Sequence, residues 1–96
     1  MMKIAINADY GGFGLTDEAI SLYKKIKGLP EEDQFFWFEI ARDDPALIQV
    51  IEELGDKASG RRSCVKIIEI PDDVEWLIEE YDGLEWVAEK HRVWRA

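Results

Sequence analysis

Apolar residues recur at helical spacing in two stretches of this chain and at strand spacing in the others. The first strand is expected over 3–8, where Ile4, Ile6 and Ala8 alternate with Lys3, Ala5 and Asn7. The apolar set is expected to face the core. A helix is expected over 17–27. Thr16 is placed to cap it, Asp17 and Glu18 occupy its first turn, and Gly28 stops it. Its stripe is Ala19, Ile20, Tyr23 and Ile26, with Leu22 at the edge. The aromatic run Phe35-Phe36-Trp37-Phe38 predicts a strand over 35–41 with apolar side chains on both faces.

Asp44-Pro45 opens the second helix, with Asp44 as N-cap and Pro45 at the first position. Leu47, Val50, Ile51 and Leu54 form its buried stripe, and Gly55 ends it. A loop with Gly60-Arg61-Arg62 leads to a β-rich run over 64–70, closed by Pro71. Residues 74–81 alternate, and Asp82-Gly83 is a two-residue hairpin signal. The return over 84–89 pairs as a strand on this reading. A short helix from Leu84 to His91 is the alternative, because Leu, Glu, Ala and Lys are good helix formers. The order β-α-β-α-β-β-β predicts one compact domain over 1–96. Its class is α/β or α+β, a mixed β-sheet with two helices and a C-terminal hairpin.

Composition narrows the class of protein. The 96 residues are 47% hydrophobic with four Trp, enough for a core and unlike a disordered chain. A single cysteine, Cys64, excludes an intramolecular disulfide and a Cys-based zinc site; in an apolar run it is expected to be buried and inert. No spacing suits a dedicated metal site, and no cofactor is implied. No long apolar stretch suggests a leader or a membrane span, so a cytoplasmic protein is expected. The net charge of −9 argues against direct binding to nucleic acid, which needs a basic face to displace counterions. The imbalance is concentrated over 67–89, with nine acids and no Lys or Arg. Glu75, Glu79, Glu80, Glu85 and Glu89 make an acidic surface there. It is either a solvated, solubilising face or one that fits a basic groove on another protein.

Two segments carry candidate binding chemistry. The first is the turn Tyr10-Gly11-Gly12-Phe13-Gly14 between the first strand and the first helix. Its glycines permit positive φ and close approach, and Tyr10 or Phe13 could stack on a base. It lacks phosphate-loop spacing and a Walker lysine, and Asp17 and Glu18 oppose a phosphate on the helix that follows. A structural turn with Phe13 anchored in the core is the competing reading. Asp9 is the acid best placed for a role, or for an Asx-type turn bond. The second segment, with His91, Arg92 and Trp94, combines phosphate-clamping and stacking groups in an acidic chain. Its structural alternative is a tail docked on the domain. Arg61 and Arg62 are the other basic pair, either a binding loop or an idle exposed one. Catalysis finds little support: there is one His, and no Ser in a nucleophile-elbow context.

Several stretches resemble a family of small, uncharacterised proteins of tailed phages and prophages. They are Ile6-Asn7 with Tyr10-Gly11-Gly12-Phe13 and Leu15, then Arg42-Asp43-Asp44-Pro45-Ala46-Leu47 and Glu52-Glu53-Leu54-Gly55. The last is Glu80-Tyr81-Asp82-Gly83-Leu84-Glu85-Trp86-Val87 with Glu89-Lys90-His91-Arg92 and Trp94. The resemblance spans nearly the whole chain and carries no established chemistry, so no catalytic residue transfers. It implies a phage protein acting in bacterial cytoplasm, where such proteins often antagonise host defence. The expected function is a non-enzymatic binder that sequesters a small nucleotide-like signal through Tyr10, Gly11, Gly12, Phe13, Arg61, Arg62, His91, Arg92 and Trp94. Such a binder is expected to be a homo-oligomer, since a small domain makes a deep pocket more readily between subunits. The alternative is an acidic protein that inhibits a host protein by filling a basic groove. An enzyme using its abundant carboxylates is the third class.

Overall fold

The computed structural model describes residues 1–30 and 40–89. Element order is β1 (Met2–Asn7), α1 (Asp17–Lys27), α2 (Pro45–Leu54), a 3-10 turn (Gly55–Ala58), β2 (Val65–Ile70), β3 (Trp76–Tyr81) and β4 (Leu84–Glu89). The class is α+β with a C-terminal β-hairpin. Among the described residues the strands form two antiparallel pairs, β1 with β2 and β3 with β4. The expected strand over 35–41 lies outside the described residues except for Ile40 and Ala41, which are not in a strand. Ile40 is buried in the core.

Both helices follow their local signals. The Thr16 hydroxyl accepts from the Ala19 N–H at 3.2 Å, and Gly28 takes φ 73° to close α1. The Asp44 carboxylate accepts from the Ala46 N–H at 2.8 Å, with Pro45 opening α2. Leu47 and Val50 are fully buried. Each such side chain contributes about 1.5–3 kcal/mol. The helices are tied together where the Tyr23 hydroxyl donates to Asp44 Oδ2 at 2.7 Å and Lys27 lies 3.5 Å from the same oxygen. Burial pushes the Tyr23 hydroxyl up to about 12, reinforced by the Asp44 carboxylate it bonds. Burial alone would raise Asp44. The Tyr23 hydroxyl, the Ala46 N–H and the Lys27 ammonium together outweigh it and hold the carboxyl below its ordinary value.

In β1, Ile4 and Ile6 are buried as expected, and so is the alternate pair Ala5 and Asn7. The register Ala5↔Ile67 and Asn7↔Val65 puts these four on one face. Ala5, Val65 and Ile67 pack with both helices. Ile4 and Ile6 lie on the other face and are also buried, whereas Ala8, expected in the core with them, is exposed. The strand is thus covered on both faces, which its alternation did not predict. The register of this segment follows from pairing over Met2–Asn7, one residue earlier than expected.

Cys64 precedes β2 and is only half-buried, correcting its expected burial inside the strand. Its backbone is nevertheless fixed: its carbonyl accepts from Ala8 N–H at 2.7 Å and its N–H donates to Asn7 Oδ1 at 2.8 Å.

The C-terminal hairpin has strand 84–89, not the alternative helix. Asp82 and Gly83 take φ 52° and 93°. Positive φ at both positions is the two-residue turn whose twist matches the flanking strands.

Candidate functional site

Three loops meet around Asn7 at the end of β1. Its side chain is fully buried. Asn7 Nδ2 donates to the carbonyls of Asp9 at 2.6 Å and Gly83 at 2.7 Å, while Oδ1 accepts from Cys64. One amide therefore joins the Gly-rich turn, the loop before β2 and the hairpin turn. The sequence signal for this hub is a polar residue inside an otherwise apolar strand.

The Gly-rich turn is explained largely by packing. A Cβ on Gly11 would fall 1.8 Å from the Arg62 carbonyl oxygen, so only glycine permits the contact. Gly83 packs as tightly from the other side, where a Cβ would lie 2.3 Å from the Tyr10 carbonyl oxygen. Ser63 Oγ donates to the Gly12 carbonyl at 2.7 Å. Phe13 is buried in the core, with the Arg42 guanidinium over its ring at 3.8 Å. Its ring is thereby withdrawn from ligand stacking, in line with the competing reading of this turn, and Phe13 leaves the expected set of binding residues. The Asp9 carboxylate accepts from the Tyr10 N–H at 2.7 Å, the next residue, in place of the Asx-type bond expected to run two residues on. Tyr10 is 61% exposed, and Arg61 and Arg62 are exposed beside it. The turn and the arginine loop are thus brought together. His91, Arg92 and Trp94 lie outside the described residues.

Arg42 attaches the hairpin to the body. Its guanidinium forks onto Glu85, with Nη1 at 2.6 Å from Oε1 and Nη2 at 2.9 Å from Oε2. Glu85 Oε1 also accepts from Asn7 N–H at 2.8 Å. Arg42 further donates to the Ala5 carbonyl, and its own carbonyl accepts from Ala5 N–H. Along the edge of β1 away from β2, the Ala5 backbone is thus paired with Arg42 and the Asn7 N–H with Glu85. The pair is largely sequestered, with side-chain exposures of 22% and 10%. Glu85 is accordingly removed from the expected acidic surface, because its carboxylate points inward to a guanidinium.

The remaining acids of that surface, Glu75, Glu79, Glu80 and Glu89, are exposed. Register divides the hairpin into two faces. Trp76, Ile78, Glu80, Glu85, Val87 and Glu89 share the face that carries the Arg42 anchor. Leu77, Glu79, Tyr81, Leu84, Trp86 and Ala88 share the opposite one. On that outward face Tyr81 is 71% exposed and Trp86 41%. These two aromatics were missed as surface groups; their shared parity with Glu79, rather than with Ile78, was the available signal.

An open cleft of about 410 Å³ lies elsewhere, lined by Met2, Lys3, Asp43, Pro45 and Ile48. Its lysine is engaged by Glu52 at 2.9 Å, and that hydrogen bond raises the ammonium above its ordinary value. Among the described residues no group of three His, Cys, Asp or Glu is placed to hold a metal, and no helix is long and apolar enough to cross a membrane.

Comparison with family models, curated proteins and solved structures finds no match to this chain.

Proposed function

We propose that this chain is a non-enzymatic binding protein whose working surface is the acidic hairpin, and that it occupies a basic face of another protein. The observation that carries this reading is the hairpin's division of labour. Glu85 turns inward to anchor it, while Glu75, Glu79, Glu80 and Glu89 stay in water and Tyr81 and Trp86 are displayed. Exposed aromatics are the residues that most often anchor protein interfaces. Glu79 shares the face of these aromatics while Glu80 and Glu89 lie on the other, and the negative charge of the hairpin as a whole favours a basic partner and speeds its encounter. The resemblance to phage proteins supplies the context: a bacterial cytoplasm and, as target, a host defence or nucleic-acid-binding protein. The test is capture of partners from bacterial lysate by the purified chain and by a Glu75→Gln/Glu79→Gln/Glu80→Gln/Glu89→Gln variant. A basic protein retained at low salt by the first and lost by the second is expected. Equal recovery by both removes this reading.

A second reading places a small nucleotide-like anion at Tyr10, Arg61 and Arg62. It is favoured by the direct packing of Gly11 on Arg62, which leaves the ring and two guanidinium groups exposed on adjoining loops. In this reading a second copy completes the pocket. A thermal-shift panel of cyclic dinucleotides and mononucleotides tests it, since binding to the native state raises Tm with concentration. A flat panel, or a shift unchanged in Arg61→Ala/Arg62→Ala, rejects it.

A further inference from the structure

We propose that the outward face of the hairpin selects arginine over lysine on its protein partner, an inference that rests on the protein-binding reading above. Two groups define the recognition element. Trp86 Nε1 donates to Glu79 Oε2 at 3.0 Å across a directly opposed pair, which holds an indole and a carboxylate side by side. Glu79 has no other partner among the described residues, and a carboxylate accepts several hydrogen bonds at once. Tyr81 sits on the same face two pairs further toward the turn, opposite Leu84.

An aromatic ring beside a carboxylate suits a guanidinium better than an ammonium. The planar cation can lie over the ring while its N–H groups fork onto the oxygens. Lysine offers a compact, strongly hydrated charge that gains less from the ring. The chain already uses this arrangement internally. Arg42 lies over Phe13 at 3.8 Å while forking onto Glu85. The outward face presents the same pair of groups, ring and carboxylate, with the guanidinium left for a partner to supply. Leu77 and Leu84 share that face and add half-buried apolar surface to it, which suits an arginine stem.

The experiment measures fluorescence anisotropy of labelled oligo-arginine and oligo-lysine peptides of equal length, titrated with the full chain. The expected result is about tenfold tighter binding of the arginine peptide. That preference should vanish in Tyr81→Leu/Trp86→Leu. It should also weaken in Glu79→Gln, which keeps an acceptor for the indole and so preserves the surface. Circular dichroism and Tm verify that each variant is folded. Equal binding of both peptides by the unaltered chain overturns the inference, as does a preference that survives in both variants. Either result leaves the acidic-surface reading standing, since charge alone binds both peptides. Failure of both peptides to bind overturns the arginine inference and counts against the acidic surface as well.

Discussion

Replacing Asn7 by alanine should unfasten three loops at once. Its side chain makes three hydrogen bonds, to Asp9, Gly83 and Cys64, between 2.6 and 2.8 Å. Each is worth about 1 kcal/mol net, and a buried donor left without an acceptor costs about 1–3 kcal/mol more. The Asp9 carbonyl, on an exposed residue, regains water readily. The Cys64 N–H, at a half-buried site beside β1, is less well placed to do so. The expected loss for Asn7→Ala is therefore about 3–5 kcal/mol, a large part of the roughly 5–15 kcal/mol available to a domain of this size. Urea unfolding followed by circular dichroism measures it through the shift in midpoint at constant slope. A loss below about 1 kcal/mol would refute the hub, because it would mean that these bonds are replaced by water without penalty.

Three further outcomes follow from the same geometry. Gly83→Ala should destabilise by several-fold more than Gly12→Ala. Both have positive φ, but only the first meets backbone, at 2.3 Å, while the second opens to free space and should lose about 1 kcal/mol; paired Tm measurements check this. Tyr23→Phe should lose about 1 kcal/mol with its bond to Asp44. In the unaltered chain the raised Tyr23 hydroxyl contributes stability that is complete below the ordinary tyrosine value near 10. That contribution is lost as pH climbs toward about 12, and the depressed Asp44 contributes above its ordinary value and is lost as pH falls below it. Stability against pH, measured at both extremes, should flatten in Tyr23→Phe on the alkaline side. Arg42→Lys should cost about 1–3 kcal/mol despite keeping the charge, since lysine can neither fork onto Glu85 nor stack on Phe13; amide hydrogen exchange should then rise first in β4.

Much of the fold was written locally. Thr16, Asp44-Pro45 and Gly28 mark helix ends through bonds to neighbours a few residues away, and Asp82-Gly83 sets its turn by its own backbone preference. What escaped a reading of the sequence is long-range. The Arg42–Glu85 anchor joins residues 43 positions apart, and no spacing rule connects them. The burial of β1 on both faces likewise depends on what covers it, not on its alternation, so the burial of Ala5 and Asn7 is not legible in the pattern. At the candidate surfaces the acids were legible from charge alone. The inward turn of Glu85 and the display of Tyr81 and Trp86 depend on hairpin register and on which face the anchor claims. Gly11 was recognised as a point of close approach, but its neighbour is the Arg62 backbone of the same chain.

The central claim is that the hairpin is the working surface. Its most direct test is hydrogen–deuterium exchange of the chain alone and in complex with a basic protein captured at low salt. The account predicts new protection over Trp76–Tyr81 and Leu84–Glu89. Protection confined to Tyr10–Gly14 and Arg61–Ser63, with the hairpin unchanged, would contradict it and move the binding site to the Gly-rich turn.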